Sequence, residues 1–92
     1  MSDAAAPRPN PTARAQAAKR MHGEELLGKA NVVGVGVGYI RRGGLRTDEV
    51  GLVVLVKHKR PAIELAESDR VPAQIDGVPV DVQEVGEIVG LE

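Results

Sequence analysis

The stretch Asn31 to Ile40, NVVGVGVGYI, decides how this 92-residue chain is read. Successive side chains of a strand point to opposite faces, so Val33, Val35, Val37 and Tyr39 share one face and Gly34, Gly36 and Gly38 the other. Glycine inside a strand costs conformational entropy and contributes no packing of its own. Its repetition therefore predicts a bare face that something approaches closely, such as a helix or another backbone. A phosphate-binding reading of the same glycines fails on spacing. G-x-G-x-x-G needs glycine at position 39 or 41, where Tyr39 and Arg41 stand, and the phosphate-loop lysine is missing too.

Downstream, Arg41 to Asp48 with Gly43 and Gly44 at its centre predicts a turn, and Glu49 to His58 a returning strand, which together make an antiparallel hairpin. Leu52 to Val56 is apolar at every position, which predicts a central strand covered on both faces. Pro61 to Arg70 reads as a helical turn or a loop. Val71 to Ile75 and Val78 to Val85 flank Asp76-Gly77, a two-residue hairpin signal, while Pro72 and Pro79 restrict these strands to edge positions or short lengths.

Upstream, Thr12 to Leu27 is rich in helix formers, with Asn10 or Thr12 available as N-cap and Gly28 at the C′ position. Ala15, Ala18, His22 and Leu26 form its narrow apolar stripe, with Met21 beside it. Its charges run Arg14, Lys19, Arg20 and then Glu24, Glu25. That order opposes the helix dipole by roughly a few tenths of a kcal/mol per exposed charge, and points to a partner for the basic end. Residues 1–11, holding three of the six prolines, read as an arm. The expected fold is α+β: over 12–92, an N-terminal helix packed on a small, mainly antiparallel sheet built from two β-hairpins.

Composition narrows the function. A chain of this length buries only roughly 60–65% of its unfolded surface, so association with another copy would add stability. With one aromatic residue, Tyr39, the core is aliphatic. Cysteine is absent, which removes disulfides, thiolate metal sites and cysteine nucleophiles and fits a reducing, cytoplasmic setting. The longest apolar run, Leu52 to Val56, is far short of the ~20 residues of a membrane helix. Net charge is −1, but residues 1–20 carry +3, residues 21–60 another +3, and residues 61–92 carry −7. Such polarity favours attraction between unlike ends, within a subunit or between neighbours.

Catalytic and ligand-binding motifs are weak. Ser68 with His58 or His22 and Asp69 or Asp81 could be assembled into a triad only on paper, since no nucleophile-elbow motif surrounds Ser68. His22 and His58 stand apart without the paired spacing of a metal-ligand set; His22 fits a half-buried packing role and His58 a solvated one. Lys57-His58-Lys59-Arg60 and the arginines at 41, 42 and 46 carry the right charge for phosphate. A strand of about eight residues, ~25 Å, separates the two groups, and aromatic stacking platforms are lacking. Nucleic acid is therefore disfavoured as a partner, and no catalytic residue, metal or cofactor is assigned.

Three stretches together, NVVGVGVGYI (31–40), VGLVVLVKHKRP (50–61) and VPAQIDGVPVDVQEVG (71–86), resemble the short α+β segment ahead of the peptidase domain in narrow-leaf-type trypsin-like serine peptidases of bacteria and plants. That family's pattern is a helix, a V-G-V-G strand, an apolar strand ending in basic residues and proline, and a P-x-x-I-x-G-V-P-V-x-V hairpin. The resemblance spans about residues 15–88. It implies an accessory module without catalytic residues, because no G-D-S-G-G-like stretch occurs here.

The leading expectation is a non-enzymatic, self-associating protein-interaction module. Its candidate contact residues are Arg8, Arg14, Lys19, Arg20, Gly34, Gly36, Gly38, Lys57, Lys59 and Arg60, with the basic arm meeting an acidic surface on a neighbouring copy. The alternatives are a regulatory partner of a trypsin-like serine peptidase, a small virion or shell component, and a weak nucleic-acid binder.

Overall fold

A computed structural model describes residues 10–86. Arg8, most of the arm and the acidic end beyond Gly86 lie outside the described residues. The first element is helix α1, Pro11–Leu27. Asn10 caps it, its Oδ1 accepting the Ala13 N–H at 2.7 Å, and Pro11 occupies a first-turn position where a missing N–H costs nothing. Pro11 thus belongs to the helix rather than to the arm.

Gly28 closes the helix without the left-handed conformation expected of a C′ glycine: its φ is −78° and its N–H bonds the Glu24 and Glu25 carbonyls. The left-handed residue is Asn31, at φ 78°. Asn31 uses that conformation to clasp the far end of the hairpin. Its carbonyl accepts the Lys57 N–H at 3.0 Å, its Oδ1 accepts the His58 N–H at 3.1 Å, and its Nδ2 donates to the His58 carbonyl.

Strands β1 (Val32–Arg42) and β2 (Leu45–Val56) form the expected antiparallel hairpin. Its turn is tighter than the eight residues the sequence marks out. Gly43 and Gly44, at φ 59° and 82°, make a two-residue connection of the mirror-image kind that matches strand twist. The extra length becomes strand, and the pairing slips between Tyr39 and Arg41, where residues 47–49 of β2 bulge. There the Thr47 hydroxyl donates to the Ile40 carbonyl at 2.9 Å and accepts the Glu49 N–H at 3.1 Å.

The second hairpin joins β3 (Gln74–Ile75) to β4 (Val78–Glu84) through Asp76 and Gly77, at φ 52° and 77°. The strand order is β1-β2-β4-β3, with β4 running parallel to β2. The two hairpins therefore make a mixed sheet. Pro79 is tolerated because β4 is shared out along its length: Val78 and Pro79 pair with β3, and Val80 to Glu84 pair with β2.

Residues 57–73 return the chain for the parallel pairing through two short 3₁₀ turns, Ala62–Glu64 and Glu67–Asp69. The second is pinned to the end of α1. Lys29 Nζ donates to the Ser68 carbonyl at 2.6 Å and the Ala30 N–H to Asp69 Oδ1 at 2.9 Å.

Ala15, Ala18 and Leu26 of α1 are buried against Leu52, Val54, Val56 and Val78, with Val32, Val35 and Val37 packed around them. Val35 lies opposite Val54 and Val37 opposite Leu52, so the helix covers the valine face of β1. Helix and sheet come close because the contact stripe of α1 is mostly alanine. Two side chains depart from the expected pattern. Val33 falls at a register slip and is 40% exposed, and Tyr39 is 45% exposed; Met21, beside the stripe, is 75% exposed.

Candidate interaction surfaces

The glycine face is the first surface. Of the two alternatives for close approach, a helix or another backbone, α1 is excluded because it takes the opposite side. On β2 the residues facing this way are Val53 and Leu55, both half-buried, whereas Leu52, Val54 and Val56 are buried. Strand β2 is therefore central as expected, but among the described residues it is covered on one face only. A Cβ on Gly36 would meet nothing within 4 Å; one on Gly34 would touch Leu55 Cδ1 at 3.3 Å, and one on Gly38 Val53 Cγ2 at 3.6 Å. The resulting depression, about 530 Å³, runs from Gly34 and Gly36 across Val53 and Leu55 to Gln83 and to Tyr39, Arg41 and Arg46.

That depression is closed at one end by the chain itself. Ile40 is 3% exposed yet stands apart from the helix core. It packs with Pro79 over Gly51, where an added Cβ would lie 2.9 Å from Ile40 Cγ2 and run into the Pro79 carbonyl. The Arg41 N–H donates to Asp81 Oδ2 at 2.8 Å, and Gln83 Nε2 donates to the same oxygen at 3.0 Å. At the hairpin tip Arg42 pairs with Glu49 at 2.6 Å, and the Arg46 guanidinium sits 4.3 Å from the centroid of the Tyr39 ring. These arginines are engaged with their own hairpin. The twelve residues of β2 hold them away from Lys57 to Arg60.

The second surface is at that other end. A cavity of about 460 Å³ opens between the sheet and the 58–71 connection. Val32, Val56, Val71 and Val82 supply its apolar walls, and His58, Lys59 and Arg60 its rim. The backbone around it is held firmly. Asn31 clasps His58, the Lys59 N–H donates to Glu84 Oε1 at 2.8 Å, and the Val85 N–H donates to the Val56 carbonyl at 2.8 Å. Lys57 is exposed and stands just outside the cavity.

The basic helix residues Arg14, Lys19 and Arg20 are all exposed. Arg14 reaches over the second hairpin, its Nη2 2.9 Å from where a Gly77 Cβ would sit. About two turns along the helix, His22 Nε2 meets Asp76 Oδ2 at 2.9 Å, and Glu25 Oε1 lies 3.7 Å from His22 Nδ1. The hydrogen bond to Asp76 is the main cause that raises the His22 pKa above its ordinary 6.5, against a smaller lowering by desolvation. This link between residues 54 apart has no sequence signature.

The triad residues are scattered into structural duties. Asp69 accepts from Ala30, Asp81 from Arg41 and Gln83, and among the described residues no hydrogen bond joins Ser68 to a histidine. No group of three or more acidic or histidine side chains is placed to hold a metal ion among the described residues, and no described helix is long and apolar enough to cross a membrane. No family model matches the chain, and no curated protein shows significant similarity to it.

Proposed function

We propose that this protein is a protein-interaction module that associates with itself through the glycine face and the outer edge of β1, which is unpaired among the described residues. The observation that supports this is the one-sided cover of the sheet. From Val32 to Ile40 the edge strand carries no charged residue and no proline, the usual devices that keep an open edge from pairing. An antiparallel pair of identical strands is self-complementary about a two-fold axis, so a second copy satisfies the edge with backbone groups already in place. The glycines beside it permit close approach, and Val53 and Leu55 supply apolar area to bury.

Sedimentation velocity across micromolar concentrations tests the reading. The expected result is a concentration-dependent dimer or larger assembly that Gly36→Lys, placed where nothing crowds it, reduces to monomer. A monomer at every concentration would falsify the proposal. Deleting residues 1–9 separates this geometry from arm exchange, since edge pairing survives the deletion and arm exchange does not.

A second reading, an accessory partner of a trypsin-like serine peptidase, draws support from how the three resembling stretches fall: one on β1, one on the apolar half of β2 with its basic end, and one on the second hairpin. Co-purification of a serine peptidase with the tagged protein from its own cells is the expected outcome, and its absence there counts against it.

A further inference from the structure

We propose that the cavity between the sheet and the 58–71 connection binds a small aliphatic carboxylate. Its volume, about 460 Å³, is that of a small-ligand pocket, roughly 300–1,000 Å³. The walls are mostly aliphatic side chains, which suit a hydrocarbon body, with Asn31, Asp69 and Arg70 also in the lining. The mouth carries the opposite chemistry. Lys59 and Arg60 are exposed, and neither side chain has an ion-pair or hydrogen-bond partner among the described residues.

Two acids stand nearby, but both are engaged by backbone donors: Asp69 by the Ala30 N–H and Glu84 by the Lys59 N–H. Among the described residues neither carboxylate is ion-paired with Lys59 or Arg60, so an incoming anion meets both cations without displacing a salt bridge. A planar guanidinium receives a carboxylate by two parallel hydrogen bonds, and the ammonium of Lys59 adds a point charge beside it. An anionic head at the rim and an aliphatic tail between Val56, Val71 and Val82 use both halves of the site. Inorganic phosphate would use only one. The site is pre-formed by the Asn31 clasp and by the Lys29 and Ala30 bonds to the connection, so little ordering opposes binding.

The test is an amide-resolved NMR titration of the full chain with hexanoate, hexanamide and inorganic phosphate. Hexanoate is expected to give saturable shifts at Val32, Val56, Lys59 and Val71, with hexanamide and phosphate each weaker by about tenfold or more. The paired change Lys59→Gln with Arg60→Gln is expected to weaken hexanoate by about tenfold as well. Rising ionic strength should weaken hexanoate binding to the unaltered protein, a readout independent of whether the variant folds. Hexanamide or phosphate binding as tightly as hexanoate, salt-insensitive binding, shifts centred elsewhere, or no saturation would overturn the proposal.

Discussion

The two faces of β1 carry the same backbone and opposite consequences. On one face Val35 and Val37 meet Val54 and Leu52 under α1, and the core forms there. On the other Gly34, Gly36 and Gly38 leave Val53 and Leu55 half-buried beside a depression. An alternating strand therefore divides a small protein's limited apolar surface into a part spent on folding and a part left for contact. For a chain whose core is thin and aliphatic, that division bears on its stability and, under the proposed function, on its association.

The largest effect expected from this contrast comes from Leu52→Ala on the covered face, about 2–5 kcal/mol of lost stability in urea unfolding. Leu55→Ala on the open face should cost only roughly 1 kcal/mol in dilute solution. A cost for Leu55→Ala that grows with protein concentration would show the open face becoming covered by a second copy. Equal costs at all concentrations would break the contrast.

Gly51→Ala probes the end of the open face that Ile40 and Pro79 close. A Cβ there collides with the Pro79 carbonyl and presses on Ile40, and the expected loss is about 1–3 kcal/mol by the same measurement. Gly36→Ala sharpens the comparison from the other side. With nothing within 4 Å of the new methyl group, it should raise the stability of the monomer by roughly 0.5–1 kcal/mol, and sedimentation should show weaker association.

The smallest effect concerns the link between helix and second hairpin. The His22 pKa is raised by Asp76, so its stabilising contribution is complete below pH 6.5 and is lost as pH rises through the raised value. Thermal unfolding followed between pH 5 and 9 should show that loss, and Asp76→Asn should reduce it to the smaller part that Glu25 supplies, while keeping a residue that accepts the left-handed turn. An unchanged pH profile in Asp76→Asn would remove His22 from this role.

Much of this architecture was legible in the residues. Asn10 before a run of helix formers, Gly43-Gly44 and Asp76-Gly77 between apolar runs, and the two-residue beat of Asn31 to Ile40 each signal a local conformation by chemistry that acts over a few positions. The misreadings share one cause. Apolar residues at every position of Leu52 to Val56 cannot distinguish a strand covered twice from one whose second face is kept open. Gly28 and Asn31 both fit the left-handed region, and only the clasp on His58 assigns it to Asn31. The basic run at 57–60 was visible as charge, but the apolar walls behind it come from residues up to 50 positions apart.

The sequence alone determined the elements and their faces, since hydrogen-bonding habit, side-chain period and turn chemistry are local. The tertiary structure alone decided which face of β1 the helix took, that β4 joins β2 in parallel, that Ile40 and Pro79 close over Gly51, and that His22 meets Asp76. These depend on distant parts of the chain arriving together, where packing volume and the pairing of backbone groups choose among arrangements that local preference leaves equal.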